Sequence, residues 1–244
     1  MNSTLGLNKY LIWNKFKLMN FILIVNVIEL ILITPLDWGA MFRPGYQLGK
    51  VIFSSLIVYL LGVILLIREN EHVYLNGKYS SIPVTETKIY FSNLSTTLLV
   101  YLYLWFLETG IFLAAFWIID RKSLTDHLKS ILEMNQIGLI IKVIIMCMLA
   151  IVLIWTLSTF VHLTSQLLPL QNPKLTMVIF YSLVGVLVFY IGYVNLWQAD
   201  AMRVDWYIEA KNHIFIQMVS MDLIGIVVFT FCNLLILKKY SSIR

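Results

Sequence analysis

Four ionisable side chains fall inside long apolar runs of the sequence: Glu29, Glu108, Lys142 and Asp222. A charge in hydrocarbon costs at least about 2.5–3.5 kcal/mol on insertion scales, so each needs a partner, water or neutralisation. Such groups can lock helices by pairing, line a polar path or relay protons. Lys142 and Asp222 fall at similar depth in the topology derived below, which suits an interhelical ion pair. Glu29 and Glu108 are the candidates for a polar path, with Ser54, Ser55 and Ser182 beside them. Asn26, Asn195 and Asn233 suit hydrogen bonds between helices. A proton relay needs a chain of groups, and four scattered charges do not form an evident one.

Other chemistry lacks the residues it needs. Gly45-Tyr46-Gln47-Leu48-Gly49-Lys50-Val51 has neither the spacing nor the final hydroxyl of a phosphate-binding loop. There is no H-E-x-x-H and no G-x-S-x-G. His72, His127, His162 and His213 are far apart in the sequence and lack metal-ligand spacing. Cys147 and Cys232 sit in apolar runs and read as small buried hydrophobes. The sequence thus points away from an enzyme, a metal protein and a chain that binds nucleotide itself.

The elements that must position these residues follow from composition. Hydrophobic residues make up 60% of the 244 and charged residues only 13%, with mean hydropathy +0.84. Soluble domains carry about 25% charged residues. The fold class is therefore all-α, a polytopic membrane bundle of six transmembrane helices forming a single transmembrane domain over 1–244. The expected spans are 18–36, 48–67, 94–119, 137–161, 175–196 and 214–237. Each has roughly the 20 residues needed to cross about 30 Å of hydrocarbon.

Residues 1–17 read as an N-terminal interfacial helix, and the 18–36 run as a retained first span rather than a signal core. Residues 120–136 read as an exposed amphipathic helix, and 197–213 as an outer interfacial or re-entrant segment. The net charge of +5 lies mainly at span ends, where it orients helices and does not indicate nucleic acid. Of the Lys and Arg outside the spans or at their edges, ten fall on the side of the termini and seven on the other. That bias places both termini in the cytoplasm.

The polar interruption 68–93 is then cytoplasmic. Tyr74, Leu75 and Tyr79 are the kind of side chains that fill a pocket on a partner. Asn76-Gly77 breaks any helix there. Pro83 favours a bend. Thr85 is placed to cap a helix running into span three, with Glu86 in its first turn.

Arg68-Glu69-Asn70-Glu71 follows a span, and Ser81-Ile82-Pro83-Val84-Thr85-Glu86-Thr87-Lys88-Ile89-Tyr90 leads into the next. This pattern resembles the permease subunits of type-2 ABC transporters. There an acidic cluster ends the second span, and a Leu-Pro-Val-Ser-Arg-like motif precedes the third. Glu86 stands where that family often has a basic residue. The short chain is similar to the small permeases that export, or confer immunity to, lantibiotics and phenol-soluble modulins.

The resemblance implies a subunit of an exporter for amphipathic peptides in a bacterial plasma membrane. It implies a second permease, identical or different, and separate ATPase subunits that hold ATP and Mg. Those subunits would dock on a coupling element at about 71–80, with Glu69, Glu71, His72, Tyr74, Leu75, Tyr79 and Pro83 as candidate contacts. The rival expectations are a stand-alone ion-coupled carrier or channel, and a non-transporting membrane scaffold.

Overall fold

Inside hydrocarbon a backbone must satisfy its own hydrogen bonds, so each apolar run becomes a helix. The computed structural model of the chain describes residues 2–36, 44–75, 85–133, 137–167, 178, 182 and 207–243. The helices are α1 (Asn2–Leu36), α2 (Pro44–Leu75), α3 (Glu86–Ile119), α4 (Arg121–Glu133), α5 (Ile137–Leu167) and α6 (Tyr207–Ile243). Stretches of α2, α3, α5 and α6 are long and apolar enough to cross a membrane. The chain is an all-helical membrane protein. The expected first span lies on α1. The expected fifth, 175–196, falls outside the described residues except for Val178 and Ser182, both helical and exposed.

α1 is one uninterrupted helix of 35 residues. The expected interfacial segment and first span are continuous, because no Gly or Pro lies between Gly6 and Pro35 to separate them.

The chain divides into two units, Met1–Leu139 and Ile140–Arg244, each described by itself. In the first, α1, α2 and α3 pack on one another. Lys15 of α1 meets Asn70 of α2 and Asn93 of α3. Further along, Asn26 of α1 meets Ser54 of α2 and Glu108 of α3. Hence α1 and α3 run parallel and α2 runs antiparallel to both.

Each helix buries one stripe at helical spacing. On α1 it is Leu11, Lys15, Met19, Ile22 and Asn26. On α3 it is Tyr90, Asn93, Thr97, Val100, Leu104 and Glu108. The outward faces carry Phe21, Ile31, Phe53, Ile64, Phe106 and Ile118, all exposed. This surface is apolar outside and polar at two levels inside, as lipid demands.

The stop between α3 and α4 has a local cause. Asp120 N–H donates to Phe116 O at 2.9 Å, closing α3. The Asp120 carboxylate accepts from Ser123 N–H at 3.0 Å, and its carbonyl from Leu124 N–H at 3.1 Å. One residue therefore ends one helix and caps the next. α4 exposes Arg121, Lys122, Asp126 and Lys129 and buries Leu124. This agrees with the amphipathic helix expected over 120–136.

In the second unit α5 and α6 run parallel. Gly225 lies beneath Leu153, where a Cβ would come within 2.8 Å of Cδ1. The Phe160 and Phe229 rings meet at a tilt of 46°, their centroids 5.5 Å apart. Asn233 donates to Thr156 O at 2.9 Å, the interhelical bond expected of it. Cys232 is half-buried, while Cys147 is exposed on α5 rather than buried.

Candidate functional site

The first unit holds two polar centres, stacked along the α1–α2–α3 bundle with an apolar layer between them. Midway along α3, Glu108 is fully buried at 0% exposure. Asn26 Nδ2 donates to its two oxygens at 3.0 and 2.9 Å. Ser55 Oγ donates to Oε1 at 2.7 Å. Ser54 Oγ donates to Asn26 Oδ1 at 2.5 Å and lies 3.5 Å from Glu29 Oε2. A polar chain therefore runs from the exposed carboxylate of Glu29 to the buried one of Glu108. Among the described residues the bonding partners of Glu108 are a neutral amide and a neutral hydroxyl.

Four of the five residues expected to line a polar path thus converge. Ser182 is exposed and belongs to the second unit. Asn26, read from the sequence as an interhelical hydrogen bonder, is the residue that joins the others.

The depth of this centre follows from two aromatic–cation pairs. Lys17 Nζ lies 5.3 Å from the Trp13 ring, and the Arg121 guanidinium 4.5 Å from the Trp117 ring. Such pairs suit headgroup belts. The Lys15 level of α1 matches Thr97 of α3. Thr97 and Trp117 are twenty residues apart, about 30 Å of helix, which is the thickness of the hydrocarbon. Glu108 sits near the middle of that distance.

The second centre was not anticipated. Lys15, which precedes the expected span, is 1% exposed. Its Nζ lies within hydrogen-bonding distance of five acceptors, Asn70 Oδ1 (3.0 Å), Asn93 O (3.1 Å), Asn93 Oδ1 (2.7 Å), Thr96 Oγ1 (3.3 Å) and Thr97 Oγ1 (2.5 Å), which share its three protons when it is charged. Burial pushes its pKa down from 10.5 to about 7, while the Glu69 carboxylate works to raise it. Thr97 also donates to Asn70 Oδ1 at 2.6 Å. Sequence alone gave Lys15 the role of an orienting charge outside a span. The available signal was its place in the stripe Leu11–Lys15–Met19, read together with Asn93, Thr96 and Thr97 on one face of α3.

Around this centre lie the residues expected to dock an ATPase. Glu69, Glu71, His72, Tyr74 and Leu75 all belong to the last turns of α2. Tyr74 is turned into the bundle. Its ring stacks on Tyr90 at 6.2 Å, and its hydroxyl accepts from Asn93 Nδ2 at 3.1 Å. It packs with Leu11, Val73 and Ile89. Glu69 and Glu71 are half-buried and His72 exposed. Thr85 is the N-cap of α3 by backbone geometry, without a side-chain capping bond, and Glu86 stands in the first turn. Asn76, Gly77, Tyr79 and Pro83 lie outside the described residues.

In the second unit Lys142 Nζ lies 5.6 Å from the centre of the Phe215 ring. Phe215 and Asp222 are seven residues apart on α6, two turns or about 10 Å. Asp222, the carboxylate expected to pair with Lys142, is half-buried on α6. Among the described residues no group of three or more His, Cys, Asp or Glu could hold a metal ion.

The chain matches no family model, no curated protein and no solved structure.

Proposed function

We propose that the chain is the membrane-spanning permease subunit of an ATP-driven exporter of the type-2 ABC class, moving amphipathic or antimicrobial peptides out of the cell or the membrane. The observation that carries this reading is the Glu108 centre. An apolar bundle that only anchored itself in lipid would gain little from a carboxylate near mid-membrane, since replacing buried charge by packed apolar groups is often neutral or stabilising. Polar and ionisable groups at that depth mark transport pathways by default. Glu29, Ser54, Ser55 and Glu108 would line the route, and the interface with a second permease would complete it. The helix directions support six alternating crossings, with α1 parallel to α3, α2 opposed to both, and α5 parallel to α6.

The sequence holds no phosphate-binding loop, so hydrolysis would belong to partner ATPases carrying ATP and Mg. Their contact would be the α2 end with 76–84, on the cytoplasmic side of a bacterial plasma membrane with both termini inside. Tyr74 is engaged within the bundle, and His72 and Arg68 are exposed side chains among the described residues of the final α2 turns.

The same carboxylate favours a second reading, an ion-coupled carrier. Reconstitution separates the two. An exporter requires its cognate ATPase subunits to co-purify and peptide transport to depend on ATP, with E108A abolishing transport and sparing co-purification. Flux from liposomes that hold the chain alone, lost in E108Q and dependent on pH, would replace the exporter with the carrier.

A further inference from the structure

We propose that α1 is a transmission rod, with Lys15 its attachment to the α2 and α3 ends flanking 76–84 and Asn26 its attachment to the Glu108 centre. The mechanical role rests on the exporter reading. The attachment itself does not, and is tested separately.

Lys15 and Asn26 are eleven residues apart on α1, about three turns and 16 Å, and so share a face. At the first level the Lys15 amine grips both neighbouring helices, through Asn70 on α2 and Asn93, Thr96 and Thr97 on α3. Other contacts hold the same level. Asn93 donates to Tyr74, Tyr74 stacks on Tyr90, Ser92 donates to Asn8, and Leu11 packs with Val73. The α2 end before residue 76 and the α3 start after residue 84 are thereby fixed to α1 and to each other.

At the second level Asn26 donates to Glu108 of α3 and accepts from Ser54 of α2. Between the levels lies an apolar layer of Met19, Ile22, Leu66, Val100 and Leu104, all buried. Close-packed layers are stiff and pass strain along. Satisfied polar networks define one geometry more sharply than apolar contacts do. A displacement of the α2–α3 ends would therefore move Lys15, and with it Asn26 against Glu108. Lys15 is a positioning residue in this scheme; it lines no path.

The test uses spin labels at exposed positions. One pair, at Lys9 and Lys88, exposed and outside the docking candidates, reports the bundle end; the other, at Ile28 and Phe106, reports the Glu108 level. In the chain alone the end pair should show one narrow distance, broadened in K15M and, more mildly, in T97V, which keeps Lys15 in place if K15M fails to fold. Unchanged distances in both variants would overturn the attachment, whatever the chain transports. In the complex with its ATPases, ATP should shift both pairs in wild type. In K15M it should shift the end pair only, and transport per ATP should fall roughly two- to thirtyfold. Equal mid-membrane shifts in K15M and wild type would overturn the rod. No ATPase association in wild type would sink the exporter reading, and the mechanical role with it, while the chain-alone distances still decide the attachment.

Discussion

Lys15 of α1 contacts Asn93 of α3 twice, at 2.7 Å to the side-chain oxygen and 3.1 Å to the backbone carbonyl. Asn93 is itself 1% exposed and spends its amide hydrogen on the Tyr74 hydroxyl. Among the described residues it is the side chain joined to both Lys15 and Tyr74. N93A should leave the amine and the phenol short of a partner each. Hydrogen bonds to charged groups contribute about 1.5–3 kcal/mol, and an abandoned buried group adds its desolvation cost. Unfolding of the purified protein in detergent should therefore show a loss of about 2–4 kcal/mol. T96A removes the longest of the five contacts, 3.3 Å, and should cost distinctly less. Equal losses in the two variants would contradict this ranking.

The same amine makes stability depend on pH. Its folded pKa, about 7, lies below its ordinary value of 10.5 because burial disfavours the charge. Between these values the unfolded chain binds a proton that the folded bundle has released. The side with more bound protons loses ground as pH rises, so stability should increase from pH 7 towards 9. One proton limits the slope to about 1.4 kcal/mol per pH unit. K15M should flatten this slope. E69Q removes the opposing carboxylate, so its slope should begin at lower pH. Melting temperatures at pH 7, 8 and 9 suffice, and a slope that persists in K15M would assign it to other groups.

Gly62 and Gly110 offer a matched pair. A Cβ on Gly62 would collide with Leu104 Cδ2, and Leu104 is fully buried between α2 and α3. A Cβ on Gly110 meets nothing within 4 Å. G62A should destabilise by about 1–3 kcal/mol through overpacking. G110A should be neutral or stabilise by about 0.5–1 kcal/mol, the helical preference for Ala. The double variant G62A/L104A should lose less than the sum of the two single losses in the same assay, since the shortened side chain makes room for the added methyl.

The helices were legible because apolar runs of that length have one solution in lipid. Leu94–Ile119 and Ile137–Val161 each fall within a single helix, and Asp120 separates α3 from α4 where the amphipathic pattern begins. The Glu108 centre was half legible. A carboxylate within an apolar run announces itself, as do the paired serines. That Asn26 would link them depends on the rotation of α1 against α2 and α3, which a single helix does not encode. Lys15 was misread for a related reason. Counting Lys and Arg for topology treats every residue near a span end as hydrated. Its actual environment is set by Asn70 and Asn93, 55 and 78 residues away in sequence. Tyr74 shows the converse. An aromatic among charges reads as a surface anchor, and only the neighbouring helix, with Tyr90 and Asn93, draws it inward.

Asp120 allows a local test of how α4 is held against α3. Its carboxylate accepts from Ser123 N–H, and its backbone sits at φ −149° and ψ 77°, outside helical geometry. Loss of an N-cap side chain costs about 0.5–2 kcal/mol. The loss should fall on α4 alone, because α3 is closed by the Asp120 backbone N–H, which any residue but proline keeps. D120A should therefore raise amide exchange over Lys122–Thr125, leaving exchange across Val100–Glu108 unchanged. D120N retains an acceptor oxygen and should restore most of the protection. D120P removes the N–H that closes α3 and should loosen the last turn of that helix as well. Equal exchange in D120A and wild type would mean that packing of Leu124, and not the cap, holds the start of α4.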